Sequence, residues 1–333
     1  MFARFAQKPF RPKTAVRLWD CCLGKLAGTN IIKLCPAVKL DKPERREPGT
    51  AVLLRGVRCV MRNVAILVVL GIGWVAGSAP RFVAAAEPKL EIHRNIVFHQ
   101  IDDEKLQADL YRPADKELRP IVVLIHGGGW ATGDKWNMAD HARELARAGF
   151  VVFNINYRLA PKWKFPSQVD DCRAALKWIV REAEAYRIDP KRIGVYGYSA
   201  GAHLAALIAC NPTAEQPAIK AVVAGGAPCD FSELELRNRT LAYWLGGSRG
   251  ERPDVYKDAS PRLHASPEDP PFFFFHGDQD GLVPLDNSRC LHDELQKCGI
   301  ESVFMQVDGQ GHLMTFLNRE ARTKAVEFLK KHL

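Results

Sequence analysis

Short apolar runs separated by helical spacing constrain this chain more than any other feature. Residues 121–125 (IVVLI) are apolar without a break, as a strand is when both of its faces are covered. Residues 150–156, 193–198, 219–225 and 272–275 are equally short and bounded, the last being four phenylalanines. Residues 91–100 and 105–111 read as strands ahead of them, and residues 302–307 as a strand after them. Helical spacing fills the gaps: 139–148, stopped by Gly149, then 167–186, the alanine-rich run from Ala200, 288–297, and a closing amphipathic helix over 320–332. Strands alternating with helices predict an α/β fold with a mostly parallel sheet, helices on both faces and ligands at the C-terminal ends of the strands. Residues 227–270, after the sixth strand, lack a long period and leave room for a small lid.

The formal net charge of +9 belongs to one end of the chain. Of the 47 Lys and Arg, 15 precede Glu87, against 4 of the 38 Asp and Glu. The body therefore holds 32 basic and 34 acidic residues, which gives no electrostatic reason to expect nucleic acid. The 9 cysteines are odd in number and show no C-x-x-C spacing, which argues against a zinc site or a disulfide framework.

Residues 61–86 have a basic start, an apolar run over 64–76 and Ala84-Ala85-Ala86 before Glu87. That is the layout of a secretory signal, and the run is short for a membrane span of about 20 residues. A secreted or periplasmic protein without stable membrane association is expected, with an uncleaved N-terminal anchor as the alternative. Residues 1–60 are basic and turn-rich. Met61 stands where an export signal begins, so translation is expected to start there, with a transit-type presequence as the alternative. The domain proper then spans 87–333.

Chemistry collects where strands end. Gly197-Tyr198-Ser199-Ala200-Gly201 is a G-x-S-x-G between a predicted strand and a predicted helix, a context that lifts a serine oxygen above the sheet. Serine alone is a weak nucleophile and needs a base, itself oriented by an acid. His312, in Gly309-Gln310-Gly311-His312, follows the last strand and is the candidate base. His292 and His332 read as surface residues. After the phenylalanine strand come Asp278 and Asp280, and either suits the acid. His126-Gly127-Gly128-Gly129-Trp130 offers backbone N–H groups to a developing oxyanion, with His126 orienting the loop. It lacks the Lys-Ser/Thr of a phosphate loop. A metal on His126, His276 and His312 is poorly spaced, so neither metal nor cofactor is expected.

HGGGW at His126, YRLAP at Tyr157, GYSAG at Gly197, HGDQDGLVP at His276 and GQGH at Gly309 together resemble the α/β-hydrolase serine esterases. The chain looks like the hormone-sensitive-lipase-related group, and more closely its exported bacterial acetylxylan/feruloyl-esterase-like branch. The resemblance implies Ser199 as nucleophile, Asp280 as acid and His312 as base. It implies an oxyanion hole from the N–H groups of Gly128, Gly129 and Ala200. The expected substrate is a short-acyl or carbohydrate-linked ester, small or polysaccharide-borne, touched by Trp130 and Tyr198. Trp136, Tyr243 and Trp244 are further aromatics for a cleft. Tyr198 stands where the lipase-like group has an aspartate, and about thirty residues between Glu87 and the first motif leave no room for its N-terminal cap. Both departures favour an open cleft. An amide hydrolase on the same fold, peptidase or arylformamidase-like, is the second reading. A non-catalytic binding protein of the fold is the third. The oligomeric state is not legible.

Overall fold

A computed structural model describes residues 88–333, so the basic segment 1–60, the export signal 61–86 and the domain start at Glu87 lie outside the described residues. The strands are β1 (Leu90–Ile101), β2 (Glu104–Pro113), β3 (Arg119–Ile125), β4 (Val151–Ile155), β5 (Ile188–Tyr198), β6 (Ile219–Gly225), β7 (Phe272–Gly277) and β8 (Ser302–Val307). They form one eight-stranded sheet in the order β1-β2-β4-β3-β5-β6-β7-β8. β1–β2 and β2–β4 pair antiparallel, and every pair from β4 through β3 to β8 is parallel.

Period-two alternation explains why the central strands read as unbroken apolar runs. In β3, Ile121, Val123 and Ile125 face one core and Val122 and Leu124 the other. In β7, Phe272 and Phe274 go one way, Phe273 and Phe275 the other. The first core is closed by α2 (Ser167–Arg181), α3 (Ala200–Cys210) and α6 (Asp286–Lys297). The second is closed by α1 (Ala139–Arg147) and α8 (Arg319–His332).

Three boundaries differ from the sequence expectation. α2 ends at Arg181 rather than at residue 186, and β5 begins at Ile188, because Ile188 is drawn into register with Arg119 on β3. The tail after β8 is a six-residue helix, α7 (His312–Leu317), rather than a loop. The segment between β6 and β7 is a packed layer rather than a free lid. It holds α4 (Ala242–Leu245) and α5 (Pro253–Asp258), helices too short to show a period in sequence. Trp244 and Tyr256 from this layer are fully buried in the first core, against α3. That second cover explains why every residue of α3 is buried.

α3 also sits unusually close to the sheet. A Cβ on Gly201 would stand 2.1 Å from the Ile125 carbonyl oxygen and 2.5 Å from that of His126, both backbone atoms at the end of β3. Gly201→Ala would gain about 1 kcal/mol of helix propensity. Overpacking against backbone costs about 1–3 kcal/mol or more and wins. We expect Gly201→Ala to lower the unfolding free energy in urea by on the order of 1–2 kcal/mol; a variant as stable as the parent would contradict this contact.

Candidate active site

Ser199 occupies the turn from β5 into α3, with φ 55° and ψ −123°, a backbone conformation costly for any residue with a side chain. The turn is held at both ends. Ser199 N–H donates to the Gly225 carbonyl of β6 (2.8 Å), and the Ser199 carbonyl accepts from His203 N–H (3.0 Å). The side chain stays partly exposed while its neighbours Tyr198 and Ala200 are buried. A Cβ on Gly127 would meet the Tyr198 carbonyl at 2.9 Å and Ser199 Cβ at 3.2 Å, so the glycine loop passes directly against the serine.

That loop leaves β3 through Gly128 (φ 117°), Gly129 (φ 58°) and Trp130 (φ 59°). The Gly128 carbonyl is tied back by Ala131 N–H, Thr132 N–H and the Thr132 hydroxyl. The Gly129 carbonyl accepts from the Tyr243 hydroxyl at 2.6 Å. The N–H groups of Gly128, Gly129 and Ala200 have no protein acceptor among the described residues. His126 braces the loop from below: its Nδ1–H donates to the Gly127 carbonyl (2.7 Å) and its ring stacks on Tyr157 at 4.3 Å. Burial lowers its pKa, which keeps the ring neutral.

Asp280 and His312 meet across the ends of β7 and β8. His312 Nδ1–H donates to Asp280 Oδ2 at 2.5 Å. Asp280 Oδ1 accepts from the N–H groups of Leu282 and Val283, both at 2.9 Å. Burial raises the Asp280 pKa, but the hydrogen bonds from His276, His312 and Val283 outweigh it and hold the carboxyl well below the usual range. Of the two carboxylates, Asp280 is the one that meets His312: Asp278 is exposed and accepts from Gly309 N–H (2.6 Å), fastening the loop that carries His312. His292 turns to the Ser302 hydroxyl and His332 to Glu301. A Cβ on Gly226 would lie 3.1 Å from His312 Cε1, which places the imidazole over the end of β6, next to the strand that carries Ser199. Neither Ser199 Oγ nor His312 Nε2 makes a hydrogen bond within the described residues.

Two residues expected to touch substrate are buried. Trp130 is 4% exposed, stacked on Trp244 at 3.8 Å and donating from Nε1 to His203 Nδ1 (3.2 Å). Tyr198 is 5% exposed, and its hydroxyl donates to the His312 carbonyl while its ring centroid lies 5.1 Å from that of His312. Alternation puts the residue before Ser199 on the far side of the strand end, so Tyr198 braces the histidine from behind. Of the other aromatics, Trp244 is fully buried and Trp136 is 70% exposed. The sequence offers His276 only a poorly spaced metal role, whereas its two ring nitrogens are both engaged in the core, and it gives no sign of Asp278 as a loop fastener. A cleft of about 430 Å³ opens on the same sheet edge at the end of β4, lined in part by Glu104, Asn156, Lys162 and Trp163. Among the described residues, no group of three His, Cys, Asp or Glu side chains is arranged to hold a metal, and no helix is long and apolar enough to cross a membrane.

Residues 108–295 match the BD-FAE family model, more than half of the chain. The chain is 32% identical over 214 residues to a protein named probable carboxylic ester hydrolase LipM of Mycobacterium tuberculosis, covering 59% of this chain and 50% of that one. It is 26% identical over 343 residues to the esterase LipC of the same organism, covering 92% of this chain and 80% of that one. The chain thus spans about half the length of LipM and four-fifths of LipC. A truncated carbohydrate esterase from gut microbiota superposes with a TM-score of 0.66 at 23% identity, over 75% of this chain and 98% of that one. This likeness shows the α/β-hydrolase fold.

Two buried histidines make stability sensitive to acid. His203 is fully buried under Trp130, with Nε2 on the Ala259 carbonyl (2.7 Å), and burial pushes its pKa down to about 4. His141, stacked on Phe316, is likewise pushed down to about 4, by burial and then by Arg322. Unfolded histidine titrates near 6.5, so above that pH neither state binds the proton. Between about 6.5 and 4 only the unfolded chain does, and each ring removes up to about 1.4 kcal/mol of stability per pH unit. We expect denaturant midpoints to fall from pH 7 to pH 5; equal midpoints would show that these rings are protonated in the fold.

Proposed function

This chain belongs to the BD-FAE family, and from its site we propose that it is an exported serine carboxylic-ester hydrolase acting on short-acyl or carbohydrate-linked esters. The observation that carries this reading is the Asp280–His312 hydrogen bond at the strand ends beside the Ser199 turn, together with loop N–H groups that have no acceptor among the described residues. Ser199 Oγ attacks the ester carbonyl while His312 Nε2 takes its proton. Asp280 fixes His312 with Nδ1 protonated and stabilises the imidazolium. The tetrahedral oxyanion falls among the N–H groups of Gly128, Gly129 and Ala200, which are held without a competing acceptor. His312 then returns the proton to the leaving alcohol. Water repeats the sequence on the acyl-enzyme and releases the acid.

The partial exposure of Ser199 supports an accessible ester carbonyl. The names of LipM and LipC support ester over amide hydrolysis. For a carbohydrate-borne ester, the cleft at the end of β4 adds support. It lies two strands from β5 on one sheet edge, about 10 Å away, with Trp163 and polar side chains for a neighbouring sugar. Export rests on the signal read over 61–86. The first described strand starts at Leu90, so cleavage after Ala86 would remove no described element.

Ser199→Ala is expected to cut p-nitrophenyl acetate turnover by about 10³-fold or more, and Asp280→Asn by about 10³–10⁴-fold. A fluorophosphonate probe should label the parent protein and spare Ser199→Ala. Faster turnover of aminoacyl nitroanilides than of nitrophenyl esters would favour an amide hydrolase, and an unlabelled, inactive but folded parent would favour a binding protein. Mass spectrometry of the native protein should find its N-terminus near Glu87; a mature peptide covering residues 10–40 would refute the processing.

A further inference from the structure

His276 is the last residue but one of β7, with no exposed side-chain surface. Its Nε2 lies 2.9 Å from the Val283 carbonyl and 3.2 Å from Asp280 Oδ2. A carbonyl and an ionised carboxylate can only accept, so the proton sits on Nε2. On the other side, Nδ1 lies 2.7 Å from Ser288 Oγ. Ser288 is itself held at the end of β6, where its hydroxyl is 2.8 Å from the Ala227 carbonyl and accepts from Ala227 N–H at 3.0 Å. Asp280 Oδ2 thus lies against two imidazoles, His312 from the solvent side and His276 from the core, whose single Nε2–H is shared between this oxygen and the Val283 carbonyl.

We propose that His276 is a positioning residue for this reaction: anchored through Ser288 to β6, its Nε2–H holds the one carboxylate oxygen that orients His312. The inference rests on the reading of Ser199, Asp280 and His312 as the catalytic set. The acid loop, 278–285, is irregular, and its two backbone donors fix only Oδ1. Without His276, Oδ2 would depend on His312 alone, and the base would have no fixed bearing as it gains and loses its proton. The second donor also withdraws charge from Oδ2.

The test compares His276→Asn, which can keep the contact to Ser288 but cannot reach Asp280, with His276→Gln, whose longer amide can place an N–H where Nε2–H stands. His276→Asn is expected to lower kcat on p-nitrophenyl acetate by about 10- to 100-fold, the size of one charge-assisted hydrogen bond, with KM little changed. Its acid limb in the kcat/KM profile should move to higher pH, because the freed carboxylate raises the basicity of His312. His276→Gln should recover most of both effects. Ser288→Ala, which loosens the anchor and leaves the ring, should move kcat and the acid limb the same way by less, and it serves if the Asn variant does not fold. An acid limb that stays put in every folded variant, or equal losses in Asn and Gln, would reduce His276 to packing and overturn the inference. That result with Asp280→Asn inactive would sink only this role of His276. Turnover surviving in Asp280→Asn and Ser199→Ala would sink the catalytic set itself.

Discussion

The approach of α3 to the end of β3 is the contact on which the site depends. With no side chain at Gly201, the helix backbone can rest on the carbonyls of Ile125 and His126. That approach forces the chain to reverse over a single residue at Ser199, in a conformation that side chains avoid. The same packing sets the glycine loop against the serine, since Gly127 must pass the Tyr198 carbonyl with no room for a Cβ. Helix and glycine loop therefore meet beside Ser199. The strain at Ser199 persists because hydrogen bonds to β6 and within α3 over-determine the turn.

Around Ser199 the fold supplies a set of buried and loop-fastening side chains. Trp130, His203 and Trp244 form a buried aromatic block that joins the glycine loop to the layer over α3. Tyr198 holds the main chain of His312, and Asp278 holds the loop before it. Burial keeps Tyr198 un-ionised by raising its pKa, with the charge of Asp280 adding to the effect, so its hydroxyl remains a donor. The polar groups of this set are paired, as low-dielectric surroundings require.

Much of the fold was legible because the central strands are covered on both faces. Continuous apolar runs such as 121–125 and 272–275 have no other comfortable place in a soluble α/β domain. The layer after β6 was not legible, since α4 and α5 are too short for a period and are held by Trp244 and Tyr256 instead. The burial of Trp130 and Tyr198 was not legible for a related reason. An aromatic beside a nucleophile reads alike whether it lines a cleft or fills the core behind it.

The sequence by itself determined the order of the chemistry: a glycine loop, a serine, an acid segment and a histidine, each just past a strand and so on one edge of a parallel sheet. Local pattern suffices there, because strand ends are fixed by where apolar runs stop. Only the tertiary structure decided which carboxylate meets His312, and that His276 and Tyr198 stand behind the pair. Asp278 and Asp280 are two residues apart in an irregular turn, where side-chain direction follows from distant partners: Gly309 for one, and Leu282, Val283, His276 and His312 for the other. Those partners come from β7, β8 and the loops beyond them, and no local pattern in the sequence records their meeting.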